Sequence, residues 1–222
     1  MNAMLEKIAV CVERGKVNAK APFPPDLKGQ DGVDELTRVA LEAGVGAQDL
    51  LEQGLIKGMQ AIGARFRRDE VFVPDVLMAA KAMKTGMAHI RPFFQSGAVK
   101  RKGVFIVGTV AGDMHDIGKN LVAMVVEGGG FEVVDLGIDV STEAFMEAVA
   151  QRPGAVVGLS ALLTTTMTSM AQTVQAVKAK FPATRVMVGG APVTAHFARQ
   201  IGADAYSADP QGAVEYLNST VA

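Results

Sequence analysis

The sequence predicts an α/β protein in two parts: an N-terminal antiparallel helical bundle, then a five-stranded parallel sheet flanked by helices. Three observations carry that prediction. Before residue 95, apolar residues recur at three and four positions, the period of an amphipathic helix. After Gly103, short β-branched runs alternate with helical patterns. Between them lies Gln95–Lys102, where Ser96, Gly97 and three basic residues have the composition of a linker. The division is therefore residues 1–95, a linker at 96–102, and residues 103–222.

In the first part a short helix is expected at about Met4–Arg14. The run Ala21-Pro22-Phe23-Pro24-Pro25 cannot be helix interior, since proline lacks the N–H and its ring meets the preceding turn. Asp34–Ala43 follows, with Leu36, Val39, Ala40 and Ala43 on one face, and Gly44 ends it. The next helix starts after Gly46 and runs to about Arg67 on Leu51, Leu55, Ile56, Met59 and Ile62. Arg68-Asp69-Glu70 breaks the pattern. Pro74 suits the first turn of a last helix, buried through Val76, Leu77, Ala80, Met83 and Met87. Pro92 is expected to end it. Short connections make this an antiparallel bundle, and abundant Met fills irregular gaps in such a core.

In the second part the strands are expected at Val104–Val110, Phe131–Leu136, Ala155–Leu159, Arg185–Val188 and Ala203–Tyr206. Helices are expected at Ile117–Gly128, Thr142–Ala150, Thr166–Phe181, after Pro192, and at Pro210–Asn218. Strict alternation means a parallel sheet with helices on both faces, and five strands favour the flavodoxin-like, Rossmann-like order 2-1-3-4-5. Ligands then bind beyond the carboxyl ends of the strands, at the switch point between strands 1 and 3.

Composition excludes several classes. Lys plus Arg is 22 against 23 Asp plus Glu, a net charge of -1, so no basic surface for nucleic acid or membrane is expected. Cys11 stands alone and cannot form an internal disulfide. The N-terminus lacks the basic segment and apolar core of a signal peptide, and no apolar run reaches membrane-span length. A cytoplasmic protein is expected.

Three unusual clusters fall at the predicted ligand edge. After strand 1 comes Thr109-Val110-Ala111-Gly112-Asp113-Met114-His115-Asp116-Ile117-Gly118-Lys119-Asn120. After strand 3 comes Ser160-Ala161-Leu162-Leu163-Thr164-Thr165-Thr166, and after strand 4 Gly189-Gly190-Ala191-Pro192. An imidazole can ligate a metal through one nitrogen while the other donates to a carboxylate that fixes its tautomer. The i, i+2 spacing on a loop lets Asp113 reach His115. A polar loop whose Asp caps the next helix is the plainer alternative, and Asp116 is the better cap candidate. A phosphate loop is rejected: five residues rather than four separate Gly112 from Gly118, and Asn120 stands where Ser or Thr is needed. A receiver domain needs a phosphorylatable Asp after strand 3, where Ser160 stands. A zinc site needs more ligands, and His89, His196 and Cys11 are remote in sequence.

Taken together, Asp113-x-His115-x-x-Gly118, then 41 residues, Ser160-x-Leu162, then 26 residues, and Gly189-Gly190 resemble the cobalamin-binding signature. Methionine synthase, corrinoid methyl-carrier proteins and some carbon-skeleton mutases share it. The segment around Gly58-Met59, Gly63, Phe66 and Phe72-Val73-Pro74 is similar to the helical cap of the methyl-transfer members.

The resemblance implies that His115 replaces the cofactor's own base as lower cobalt ligand. Asp113 would bond His115, and Thr166, six residues after Ser160, would complete a candidate catalytic relay in which methionine synthase has Ser. Ser160 and Leu162 would line the slot for the nucleotide tail, and Gly118, Gly189 and Gly190 would leave room for it. Met114, Asp116, Ile117 and Thr164 complete the expected cofactor-binding set on the same loops. Phe66 and Val73, seven residues apart, would shield the upper face; each also suits bundle core.

The implied function is a corrinoid carrier subunit, holding a methyl group as methylcobalamin and acting with other enzymes rather than alone. A substrate-specific methyltransferase would load it from a methylamine, methanol or a methoxylated aromatic. A second would unload it onto a tetrahydrofolate-type or thiol acceptor, and a reductive activase would rescue oxidised cobalt. No barrel-sized segment is present, so a whole methionine synthase is not expected. Alternatives are a cobalamin-dependent sensor or storage module, which would need an output domain, and the small subunit of an adenosylcobalamin mutase, against which the helical segment argues.

Overall fold

Leu5, Ile8, Ala9 and Val12 fall on one side of a helix, and all four are buried. They belong to α1 (Asn2–Glu13), the start of a helical unit that runs to Arg101. The structure, a computed structural model, describes residues 2–95 and 99–221. Part of the expected linker, residues 96–98, lies outside the described residues. After a short turn at Pro25–Leu27 come α2 (Val33–Glu42), α3 (Ala47–Asp49), a π-helical segment Leu50–Ile56, α4 (Lys57–Arg67) and α5 (Val73–Gln95). Within this unit α1 packs on the π segment and α4, and α2 on α5.

Two expectations are corrected here. The stretch after Gly46 is not one α-helix, because Leu50–Ile56 is π-helical. Its buried residues Leu50 and Leu55, and Leu51 and Ile56, are each five apart. A wider i→i+5 turn keeps such pairs on one face, where an α-helix would rotate them apart. Pro92 does not end the last helix but lies inside it, three residues before its end at Gln95. So near the terminus its missing N–H costs one intrahelical bond, and the helix continues beyond it.

The second unit starts at Lys102. Its elements are β1 (Val104–Thr109), α6 (Ile117–Gly128), β2 (Glu132–Asp135), α7 (Thr142–Gln151), β3 (Val156–Ser160), α8 (Met167–Lys180), β4 (Val186–Gly189), α9 (Ala195–Ile201), β5 (Ala205–Ser207) and α10 (Pro210–Thr220). The five strands are parallel in the order β2-β1-β3-β4-β5, the order expected from the alternation. Most strand starts lie one residue later than the pattern suggested.

β1 and β3 are almost wholly buried, as inner strands covered on both faces must be. One face is sealed by α7, α8 and α9, whose Phe145, Met170, Val174 and Ala198 pack with Ile106, Val157, Leu159 and Val188. Full burial of Phe145 alone contributes about 1.5–3 kcal/mol. Side-chain caps from Ser141, Thr194 and Asp209 start α7, α9 and α10. Register then sets the site: Thr109 pairs with Ser160, and Ser160 with Gly189. The carboxyl ends of β1, β3 and β4 therefore stand side by side. Among the described residues, no helix is long and apolar enough to cross a membrane.

Candidate functional site

Asp113 is the centre of the arrangement. It lies in the loop between β1 and α6 and is fully buried. Its Oδ1 accepts from His115 Nδ1 at 2.8 Å and from the His115 backbone N–H at 3.1 Å. Its Oδ2 accepts from Thr166 Oγ1 at 2.7 Å, the Leu162 N–H at 2.7 Å and the Leu163 N–H at 3.3 Å. Burial opposes ionisation of this carboxyl. The bonds from Thr166, Leu162 and His115 outweigh it and hold Asp113 well below the usual carboxylate range. At neutral pH Asp113 is thus an anion with its lone pairs engaged.

His115 differs from its partner, since about half of its side chain is exposed. With Nδ1 on Asp113, the tautomer that donates there leaves Nε2 with a free lone pair. The loop that carries His115 is clamped from several sides. Thr109 Oγ1 donates to the His115 carbonyl at 2.8 Å. Asp139 accepts from the Gly112 N–H at 2.7 Å and donates its own N–H to the Asp113 carbonyl at 3.0 Å. Gly112 (φ +82°) sits in left-handed backbone, which glycine adopts without strain.

The other expected residues divide into three groups. Ser160 ends β3, and Leu162 and Thr164 follow on its loop. Gly189 ends β4 beside Ser160, while Gly190 (φ +125°) approaches Ala161 so closely that a Cβ would overlap its carbonyl. Gly118 opens onto space: a Cβ there would meet nothing within 4 Å. Met114 (64 % exposed) and Ile117 (79 %) flank His115, and Leu162, Leu163 and Ile138 add further exposed apolar side chains. Asp116 stands at the start of α6, but its carboxylate accepts from the Asn120 side chain at 2.9 Å, so the capping expected of it goes to a side-chain amide.

Phe66 and Val73 belong to the helical unit and not to this hydrogen-bonded set. Phe66 is half-buried in α4, and Val73 opens α5 with 36 % exposure. His89 is taken by Asp34, at 2.7 Å from Nε2 to Oδ1. Sequence reasoning included Thr109 in the loop cluster without a role, and missed Asp139 and the backbone N–H groups of Leu162 and Leu163. Asp139 follows β2, an edge the switch-point rule does not single out.

Residues 103–215 match the family model described as a B12 binding domain, and residues 30–91 match a second model of the same description. The chain belongs to the cobalamin-binding corrinoid proteins, and its cofactor is cobalamin. It is 38 % identical over 195 residues to a corrinoid protein of Desulfitobacterium hafniense (strain Y51), covering 85 % of this chain and 90 % of that one. It is 42 % identical over 191 residues to trimethylamine corrinoid protein 2 of Methanosarcina mazei, covering 84 % and 88 %. Among solved structures it resembles the methanol:cobalamin methyltransferase complex MtaBC of Methanosarcina barkeri, with a TM-score of 0.82 and 28 % identity over 99 % of this chain and 80 % of that one.

The residues fit that cofactor. Among the described residues, no group of three His, Cys, Asp or Glu side chains could hold a metal ion unaided. One free imidazole nitrogen suits a metal that arrives with its equatorial ligands, as cobalt does in a corrin ring. Exposed apolar side chains on the loops meeting at Asp113, and the open space at Gly118, suit a large planar ligand laid against them.

Proposed function

We propose that this protein is a methyl carrier whose lower cobalt ligand is Nε2 of His115. One observation carries the reading: His115 is anchored through Nδ1 to a buried, ionised Asp113, while half of its side chain faces out among exposed apolar residues. Cobalamin supplies a cobalt centre able to carry a methyl group between partners. The chain supplies the rest. Asp113 fixes the imidazole tautomer, and Thr166 orients Asp113. Together they are proposed as the relay behind the imidazole. Ser160, Leu162 and Thr164, with Gly118, Gly189 and Gly190, are the residues proposed to receive the nucleotide tail; Met114, Asp116 and Ile117 would support the ring beside His115.

Residues 1–95 are proposed as the cap, 96–102 as the linker and 103–222 as the cofactor domain. Phe66 and Val73 are the cap residues proposed to keep water from the methyl group. The similarity to a trimethylamine corrinoid protein and to a methanol methyltransferase complex supports a substrate-specific methyltransferase as the loading partner. Its donor is then a methylamine or methanol, with a methoxylated aromatic as a third candidate. A second methyltransferase with a tetrahydrofolate-type or thiol acceptor would receive the group, and a reductive activase would restore oxidised cobalt. The proposed location is the cytoplasm.

The test is label transfer. The cobalamin-loaded protein is incubated with methanol and methylamine methyltransferases and ¹³C-methyl donors, and the bound cofactor is analysed by mass spectrometry. One donor–enzyme pair should place label on the cofactor, and adding a second methyltransferase with its acceptor should remove it. No label with any pair, methoxylated aromatics included, would refute the carrier reading in favour of a sensor or storage module.

A further inference from the structure

Lys119 is a buried cation for which the roles of Asp113 and Thr166 leave no use. It lies in the first turn of α6 and is only 4 % exposed. An ammonium taken out of water is costly unless it is paired and hydrogen-bonded. Lys119 Nζ donates to Asp135 Oδ1, at the end of β2, at 2.6 Å and to Asn120 Oδ1 at 2.7 Å. Asn120 Nδ2 donates in turn to Asp116 Oδ2 at 2.9 Å, and Asp116 is the residue after His115. The other direction also leads to His115. Asp135 Oδ1 accepts from the Gly137 N–H at 2.9 Å. The Gly137 carbonyl accepts from the Thr109 N–H at 3.0 Å, and Thr109 Oγ1 donates to the His115 carbonyl at 2.8 Å. The circuit leaves the histidine loop on one side and returns on the other.

Asp113 holds the imidazole ring and the His115 N–H, but neither it nor Thr166 bonds the His115 carbonyl or Asp116. The circuit does, and so ties these two groups to the end of β2. We propose that the Lys119–Asp135 pair, acting through Asn120 and Asp116, is a positioning device that presents the His115 imidazole for axial ligation of cobalt. This rests on the reading of His115 as the ligand. Lys119 and Asn120 are positioning residues, acting on His115 only through other groups.

A staple that served folding alone would lower stability without changing how His115 binds cobalt, and that difference is measurable. Asn120→Ala cuts the circuit at one link and keeps the Lys119–Asp135 pair; Lys119→Met removes the cation. Each variant is first checked for native circular dichroism. Purified protein is then loaded with hydroxocobalamin, and the ratio of His-on to His-off cofactor is read from the absorbance spectrum. In the apoprotein, solvent exchange of the His115 Nδ1 proton is read by NMR. The ratio should fall about tenfold in folded Asn120→Ala, in the range seen when outer-shell partners of metal ligands are removed. Exchange of the Nδ1 proton should rise by a similar factor. A wild-type ratio with wild-type exchange in folded Asn120→Ala would overturn the proposal, even if Lys119→Met fails to fold. Failure of the wild type to bind hydroxocobalamin would sink the ligand reading instead. The apoprotein exchange rates would then decide alone: faster exchange in Asn120→Ala supports the positioning role, and unchanged exchange overturns it.

Discussion

Thr166→Val tests whether the Thr166 hydroxyl holds Asp113 or merely lies near it. Valine keeps the shape and removes the hydroxyl, so little packing is lost. Thr166 Oγ1 lies 2.7 Å from Asp113 Oδ2 and 2.9 Å from the Leu163 carbonyl oxygen. A hydroxyl has one proton, and the shorter, charged acceptor should take it. A hydrogen bond to a charged group contributes about 1.5–3 kcal/mol. Thr166 is only 6 % exposed and Asp113 is fully buried, so water cannot replace the lost donor. Asp113 retains its bonds from His115 and from the Leu162 and Leu163 N–H groups, which limits the damage to one interaction. The expected loss is about 2 kcal/mol, roughly 30-fold in the unfolding equilibrium. The assay is urea unfolding of the apoprotein followed by tyrosine fluorescence. Both tyrosines, Tyr206 and Tyr216, lie in the second unit, so the signal reports the domain that carries the bond. The midpoint should fall with little change in slope, and Thr166→Ser should recover most of the loss. A Val variant within about 0.5 kcal/mol of wild type would refute the reasoning, since that is the range of a neutral surface change.

Two further predictions follow from the same geometry. Gly118→Ala should leave the apoprotein as stable as wild type or up to about 1 kcal/mol more stable, because the added Cβ meets nothing and alanine favours helix; cobalamin affinity, measured by absorbance titration, should nevertheless fall if that space receives cofactor. Asp113 should make stability acid-sensitive. Its folded pKa lies below the unfolded value of about 3.9, so its contribution is present above that value and is lost as pH falls through the folded one. Thermal melts of the apoprotein should therefore drop more steeply below about pH 4 for wild type than for Asp113→Asn.

The sheet was legible because its strands are short, β-branched and separated by clear helical periods; even the strand order followed from alternation and count. The helical unit was less so. The pairs Leu50/Leu55 and Leu51/Ile56 match a π turn, but a three-and-four reading passes over a spacing of five. Pro92 looks like a stop, but the helix gives up one hydrogen bond there and runs three residues further. In the site, the Asp113–His115 contact was legible because two residues on one loop can meet without long-range help. Thr166 was found only through the resemblance, since nothing local says that a hydroxyl 53 positions away will face Asp113. The Leu162 and Leu163 N–H groups, Asp139 and the Lys119 circuit depend on the register of neighbouring strands, and their side-chain identities carry no sign of it.

The central claim is that His115 ligates the cobalt of bound cobalamin. Absorbance titration of apoprotein with hydroxocobalamin, wild type beside His115→Ala, tests it most directly. The wild type should bind tightly with a His-on spectrum, and the variant should fold and lose that spectrum. Failure of folded wild type to bind would contradict the account, and so would an unchanged His-on spectrum in the variant.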